Sequence, residues 1–210
     1  MCIRDRIING ERLVLGTCYY PEHWDESLWR DDLRRMLENG IEVIRIAEFA
    51  WSKIERYEGV FNYDFYDKFL DLAEEMGMKV IFCTPTATPP AWLTEKYPEV
   101  LNANIDGVLY RHGGRRHYNY NSPKYQELTR IIVEKSASHY AKHPAIIGWQ
   151  IDNEINCEKD EFYSESDTIA FRKFLMKKYG SIDALNDAWG TNFWNQTYNS
   201  FEEVHVPRTT

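Results

Sequence analysis

Ile41-Glu-Val-Ile-Arg-Ile-Ala47 and Lys79-Val-Ile-Phe-Cys-Thr84 are two short apolar runs separated by one helical pattern. Between them Phe65, Phe69, Leu72, Ala73 and Met76 recur at helical spacing, and Gly77 supplies a stop. An apolar strand, an amphipathic helix and a second apolar strand make a parallel crossover unit. Working outward, the same alternation repeats. Leu13–Tyr20 reads as an earlier strand. It is followed by a helix with Trp29, Leu33, Met36 and Leu37 on one face and a stop at Asn39-Gly40. Downstream, Ser122-Pro123 has the form of an N-cap with proline at the first helical position. That helix is predicted to run to about His143, with Tyr125, Leu128 and Ile132 inward, and Ala145–Ile151 reads as a fourth strand. Phe171, Phe174, Leu175 and Tyr179 mark a further helix, and Ser181–Ala188 a short one closed by Gly190.

Four strands, each followed by a helix, are half of a (β/α)8 TIM barrel, a fold that takes roughly 250 residues when complete. The expectation is an α/β chain holding the first half of such a barrel or slightly more. Residues 7–210 would be the N-terminal part of one catalytic domain, truncated at the C-terminus. Met1-Cys-Ile-Arg-Asp-Arg6 looks like a translated sequencing adapter and is set apart as non-native. A doubly wound sheet is the structural competitor, but no glycine-rich phosphate loop follows the first strand.

Bulk composition narrows the chemistry. A net charge of −8 gives no general attraction to nucleic acid or to an anionic membrane. The chain has no apolar run long enough to span a bilayer and no signal-peptide pattern. Its four cysteines form no CxxC pair. A cytoplasmic location is expected. Aromatic residues reach 15%, which suits stacking against pyranose faces as well as a core of large side chains. HExxH and GxSxG are absent, so neither a zinc-hydrolase nor a serine-hydrolase motif is present. His139 and His143 read as surface or helix-end histidines.

In a parallel barrel the reacting groups project from the C-terminal ends of the strands. Those ends here carry Tyr20 to Trp24, Glu48 to Trp51, Thr84 to Trp92 and Asp152-Asn153-Glu154. Glu154 stands out. Glycosidic cleavage needs an acid to protonate the leaving oxygen, and a partly desolvated strand-end Glu can have its pKa raised for that task. Asn153 beside it can hydrogen-bond a sugar 2-OH. Arg45, inside an apolar strand, needs an acidic or carbonyl partner. Its role is either a structural ion pair or a contact to the catalytic carboxylate or the sugar.

Six colinear segments resemble glycoside hydrolase family 42: Tyr19–Trp24, Ile44–Ser52, Thr84–Leu93, Arg115–Tyr118, Asn121–Pro123 and Gly148–Glu154. The resemblance implies a retaining β-galactosidase acting on terminal β-D-galactose. Glu154 would be its acid/base, and Arg45, Arg115 and Asn153 its substrate contacts. It further implies a homotrimeric parent with the nucleophilic Glu on a seventh strand, beyond Thr210, so the chain alone is expected to be inactive and poorly folded. Some family members bind zinc through four cysteines. Here the first of those positions is Asn119 and the later loop offers Cys157 alone, so no metal and no cofactor is expected. The rivals are a related barrel hydrolase for another sugar, such as an arabinoside or mannoside, and a sugar-binding protein without chemistry.

Overall fold

The computed structural model describes residues 7–8, 11–155 and 157–208; the six residues read as adapter-derived lie outside them. The chain divides into two compact units, Met1–Trp92 with Thr129–Ile155, and Leu93–Leu128 with Asn156–Thr210.

The first unit is built on β1 (Leu15–Cys18), β2 (Ile41–Ile46), β3 (Lys79–Cys83) and β4 (Ile146–Gln150). Every neighbouring pair is parallel, and the spatial order follows the chain order. A doubly wound sheet would reverse its order at a switch point. Unbroken order is the arrangement of a barrel wall. Two short antiparallel pairs, Ile7–Ile8 with Glu11–Arg12 and Glu55–Tyr57 with Val60–Phe61, lie outside this sheet.

The two central strands, β2 and β3, are buried unequally on their two sides, so the sheet has two unlike faces there. Ile44, Ile46, Val80 and Phe82 are fully buried on one face. Val43, Arg45 and Ile81 are only partly covered on the other. The buried face meets α1 (Trp29–Glu38) and α2 (Asp64–Met76). Trp29 packs edge-on against Phe65 and Phe69, at 5.0 and 5.2 Å between ring centres. Phe82 meets Tyr66, Tyr140 and Trp149 at 5.6, 4.8 and 5.4 Å. Truncating a ring so enclosed costs about 3–5 kcal/mol.

The predicted α2 face is rotated slightly: its buried centre is Tyr66, Phe69, Leu70 and Ala73, while Phe65 sits at the margin. Gly77 ends this helix at φ 77°, a conformation that favours glycine. Helix α3 (Pro123–Tyr140) buries Tyr125, Leu128 and Ile132 as expected. It is opened by the Ser122 hydroxyl, which accepts from Tyr125 N at 3.3 Å. It stops at Tyr140 rather than His143, because Pro144 disfavours a helical residue before it.

In the second unit, α4 (Glu165–Tyr179) and α5 (Ile182–Trp189) enclose a small core of Leu175, Leu185 and Val204. Phe174, expected on the inner face of α4, is 55% exposed. The long connection Pro85–Asn121 includes a helix at Ala91–Lys96 and the bridges Leu101↔Tyr118 and Ala103↔Leu109.

Candidate active site

The candidate site of the first unit lies on the partly covered face of the sheet, where the strands end. Arg45 leaves that face of β2. Its neighbour across β3 is Gly148, which has no side chain, so the guanidinium reaches on to Gln150, whose Oε1 accepts from Nη1 at 2.9 Å. Nε and Nη2 of Arg45 donate to one oxygen of Glu48, at 3.2 and 2.8 Å. Tyr20 donates its hydroxyl to the same oxygen at 2.9 Å.

Glu48 is fully buried, and its ion pair with Arg45 answers the demand that a cation inside an apolar strand makes. Burial works against the charge on Arg45, but Glu48 outweighs it and holds the guanidinium pKa above its ordinary value. Burial, reinforced by Glu48, pushes the Tyr20 hydroxyl up to about 12. Burial and the Glu48 charge likewise push the Cys83 thiol up.

From Gln150 the chain of bonds continues. Its Nε2 donates to Asn153 Oδ1 at 3.0 Å and to the Asp152 carbonyl at 2.9 Å. The turn carrying these residues is anchored on β3. Asp152 N donates to Thr84 Oγ1 at 2.7 Å, and Thr86 Oγ1 donates to Asp152 at 2.8 Å. Asn153 is buried, at 8% exposure. Asp152 and Glu154 both hold left-handed backbone, φ 54° and 45°, as does Ala47 at φ 75° just past β2. Such conformations cost about 1–3 kcal/mol in a non-glycine residue and tend to gather at functional sites. Arg116, Glu158, Trp194 and Asn195, in the second unit, share this conformation, so it is not peculiar to these strand ends.

Glu154 follows Asn153 in the same turn past β4. It is exposed, whereas partial desolvation was expected. The reason is that β4 is the edge of the four-stranded sheet, so its terminal turn has no further strand beside it. A concavity of about 220 Å³ on the same sheet face is lined by Gly16, Thr17, Cys18, Val43, Arg45 and Ile81. A larger one of about 540 Å³ lies among the loops after the first three strands, bordered by Glu22, Phe49, Tyr57 and Trp92. Glu154 lines neither.

Arg115 belongs to the second unit, where Nη1 faces Glu158 Oε1 at 3.3 Å and the side chain is 31% exposed. Arg45 and Asn153 are thus joined through Gln150, and Glu154 follows Asn153 directly. Sequence reasoning missed Glu48 as the partner of Arg45 and missed Gln150 altogether. The signals were there: an acid three residues after the cation of an apolar strand, and one amide closing another apolar strand.

The residues do not fit the zinc set of the resembling family. Asn119 is fully buried and uses its amide hydrogens on Asp167 and Ser164. Cys157 is exposed. Asp71, Glu74 and His143 bring three ligand-type atoms within 4.8 Å of one another. His143 Nδ1 there accepts from Ala145 N, leaving the ring proton on Nε2, the nitrogen that faces Asp71 at 3.6 Å. His139, as expected of a helix-end histidine, is on the surface, 2.8 Å from Asp67.

Residues 18–210 match the family model of glycoside hydrolase 42, described as β-galactosidase. The chain is 46% identical over 198 residues to a β-galactosidase of a Thermus species, covering 94% of this chain and 31% of that protein. It is 44% identical over 197 residues to one from Halorubrum lacusprofundi, covering 93% and 28%. The crystal structure of a β-galactosidase from psychrophilic Marinomonas ef1 superposes with a TM-score of 0.90 at 44% identity, over 94% of this chain and 30% of that one. The chain therefore spans under a third of the length of these relatives. Among the described residues no helix is long and apolar enough to cross a membrane.

Proposed function

The chain belongs to glycoside hydrolase family 42, and from that premise we propose that the whole protein hydrolyses terminal non-reducing β-D-galactose residues of β-galactosides. The observation that carries this reading is the family match across residues 18–210, which takes in β4 and the Asn153-Glu154 turn that follows it.

Glu154 is the proposed acid/base. It protonates the glycosidic oxygen as the bond to the aglycone breaks, then takes a proton from the water that releases galactose. A retaining reaction also needs a carboxylate on the other face of the sugar, about 5–5.5 Å away, to attack the anomeric carbon. That group is proposed to lie outside the four strands described, so the 210-residue chain alone is expected to turn over nothing. Asn153, Arg45 and Arg115 are the proposed sugar contacts. Asn153 donates toward the 2-OH, a bond that strengthens as the oxocarbenium-like transition state forms.

Two further expectations accompany the reading. Free Cys18, Cys83 and Cys157 suit a reducing, cytoplasmic setting. A homotrimer, which the family resemblance suggests, is checked by sedimentation of the whole protein. The decisive experiment is Glu154→Ala in the whole protein. Lactose hydrolysis should fall by roughly 100-fold or more, the usual size of an acid/base contribution. Azide should restore turnover of an activated nitrophenyl β-galactoside. Undiminished lactose hydrolysis overturns the assignment.

A further inference from the structure

The hydrogen bonds on the open sheet face have a direction, and the direction is forced. Glu48 sits at one end, and an ionised carboxylate only accepts. Arg45 comes next, and a guanidinium only donates. Having given Nε and Nη2 to Glu48, Arg45 gives Nη1 to Gln150. The Gln150 amide must then present its oxygen to Arg45. Its Nε2 is turned the other way, toward Asn153 Oδ1 and the Asp152 carbonyl. An acceptor is now required of Asn153 at that contact, so its carbonyl faces Gln150 and its amide hydrogens face away.

We propose that Gln150 is a positioning residue: by relaying the Glu48–Arg45 polarity it fixes the Asn153 amide as a hydrogen-bond donor to the ligand, so the site selects a sugar bearing an acceptor oxygen at C2. The inference rests on the proposed role of Asn153 and goes beyond it, because it explains which way round that amide stands. An asparagine amide has two orientations related by a half-turn, and the Gln150 donor favours the one that puts Oδ1 toward it. Gln150 touches no substrate atom in this scheme and acts through Asn153. Its neighbours make the relay stiff. Gln150 O accepts from Thr84 N at 2.9 Å, and Thr84 Oγ1 holds Asp152 N.

The test uses Gln150→Glu in the whole protein, which keeps the size and the acceptor for Arg45 but removes the donor to Asn153. Two substrates are compared, nitrophenyl β-D-galactoside and its 2-deoxy analogue. The readout is the ratio of their kcat/KM values, which a general loss of folded enzyme leaves unmoved. Asn153→Ala serves as the reference for losing the 2-OH contact. Gln150→Glu is expected to lower the ratio about ten-fold or more, nearly as far as Asn153→Ala. The double variant should fall no further than Asn153→Ala, since the two act through one contact. An unchanged ratio in Gln150→Glu beside a collapsed ratio in Asn153→Ala overturns the role of Gln150 and leaves the Asn153 reading standing. An unchanged ratio in both variants overturns the Asn153 reading and this inference with it. Gln150→Met, which removes both bonds without introducing a charge, should lower the ratio as well. A ratio lowered by Glu but not by Met would assign the effect to the new charge and overturn the relay.

Discussion

Glu48 in the first unit and Asp167 in the second are both buried acids, at 0% and 5% exposure, and they are satisfied in opposite ways. Asp167 is surrounded by neutral donors. Ser164 N and Ser164 Oγ reach Oδ2 at 2.9 Å each, Asn119 reaches the same oxygen, and Asn121 reaches Oδ1 at 2.8 Å. The group closes on itself, fixing the start of α4 as a reciprocal cap and tying it to the loop at Asn119. Glu48 instead concentrates Arg45 and Tyr20 on one oxygen, and its Oε2 has no hydrogen-bond partner among the described residues. Its cation passes the interaction outward to Gln150. A saturated acid made of local neutral bonds locks a loop. An acid held by a cation, with capacity left over, directs polar groups outward, here toward Asn153, the residue proposed to contact the sugar. Incomplete satisfaction of a buried group is a departure that invites a functional explanation.

The largest expected effect lies on the saturated side. Asp167→Ala takes the acceptor away from the buried donors of Asn119 and Ser164, and breaking such a set costs about 3–5 kcal/mol. Urea unfolding followed by tryptophan fluorescence measures it. A loss under about 1 kcal/mol would mean that the cluster is dispensable and the contrast with Glu48 is empty. Glu48→Gln should cost less, about 2–3 kcal/mol, because Arg45 is partly exposed and water can take over some of its hydrogen bonds. Its distinguishing mark is on Tyr20. Burial is the main reason that hydroxyl titrates near 12, with Glu48 second. Removing the charge should therefore bring the ultraviolet tyrosinate titration down, though not to the ordinary 10.0. A Tyr20 curve that does not move would detach Glu48 from the network.

The contrast also shows what a sequence can and cannot reveal. The strands were legible because apolar runs bounded by glycine or proline have few alternatives. Thus Lys79–Thr84 and Ala145–Ile151 shrank by only a residue at their ends. The positions of Asn153 and Glu154 past a strand end followed from the barrel rule, and Arg45 stood out as a cation inside an apolar strand. Their connection did not. Gln150 meets Arg45 from 105 residues away, across a sheet whose register shifts between Val80 and Ile81. Nothing in the local pattern announces such a shift. Asn119 was read only as a position lacking a cysteine. Its partners Ser164 and Asp167 lie 45 and 48 residues on, so the polar cluster that it anchors could not be assembled from spacing. The expected partial desolvation of Glu154 did not follow from its place past a strand end, because β4 is the edge of the described sheet and Glu154 is exposed.

Glu22 is a partly buried acid and the finest test of the comparison, since burial, rather than a strong cation or a closed shell of donors, is the main influence on it. Its Oε2 has no hydrogen-bond partner among the described residues. Burial is the main cause raising its pKa above 4.5; its own backbone, Tyr66 and the His23 charge work against the rise, and the charge of Glu48 adds to it. The sign of the pH effect follows. Below 4.5 the carboxyl is protonated in both states and costs nothing. Above that value the unfolded chain gives up its proton while the native chain keeps it, so stability declines as pH rises toward the folded pKa and levels off beyond it. Glu22→Gln removes the ionisable group while keeping its shape. It should match the parent in acid, exceed it increasingly as pH climbs out of the ordinary carboxylate range, and show a flatter profile of urea midpoint against pH. Parallel profiles for parent and variant would mean that Glu22 titrates alike in both states, and that burial at this position carries no electrostatic penalty for Glu48 to be contrasted with.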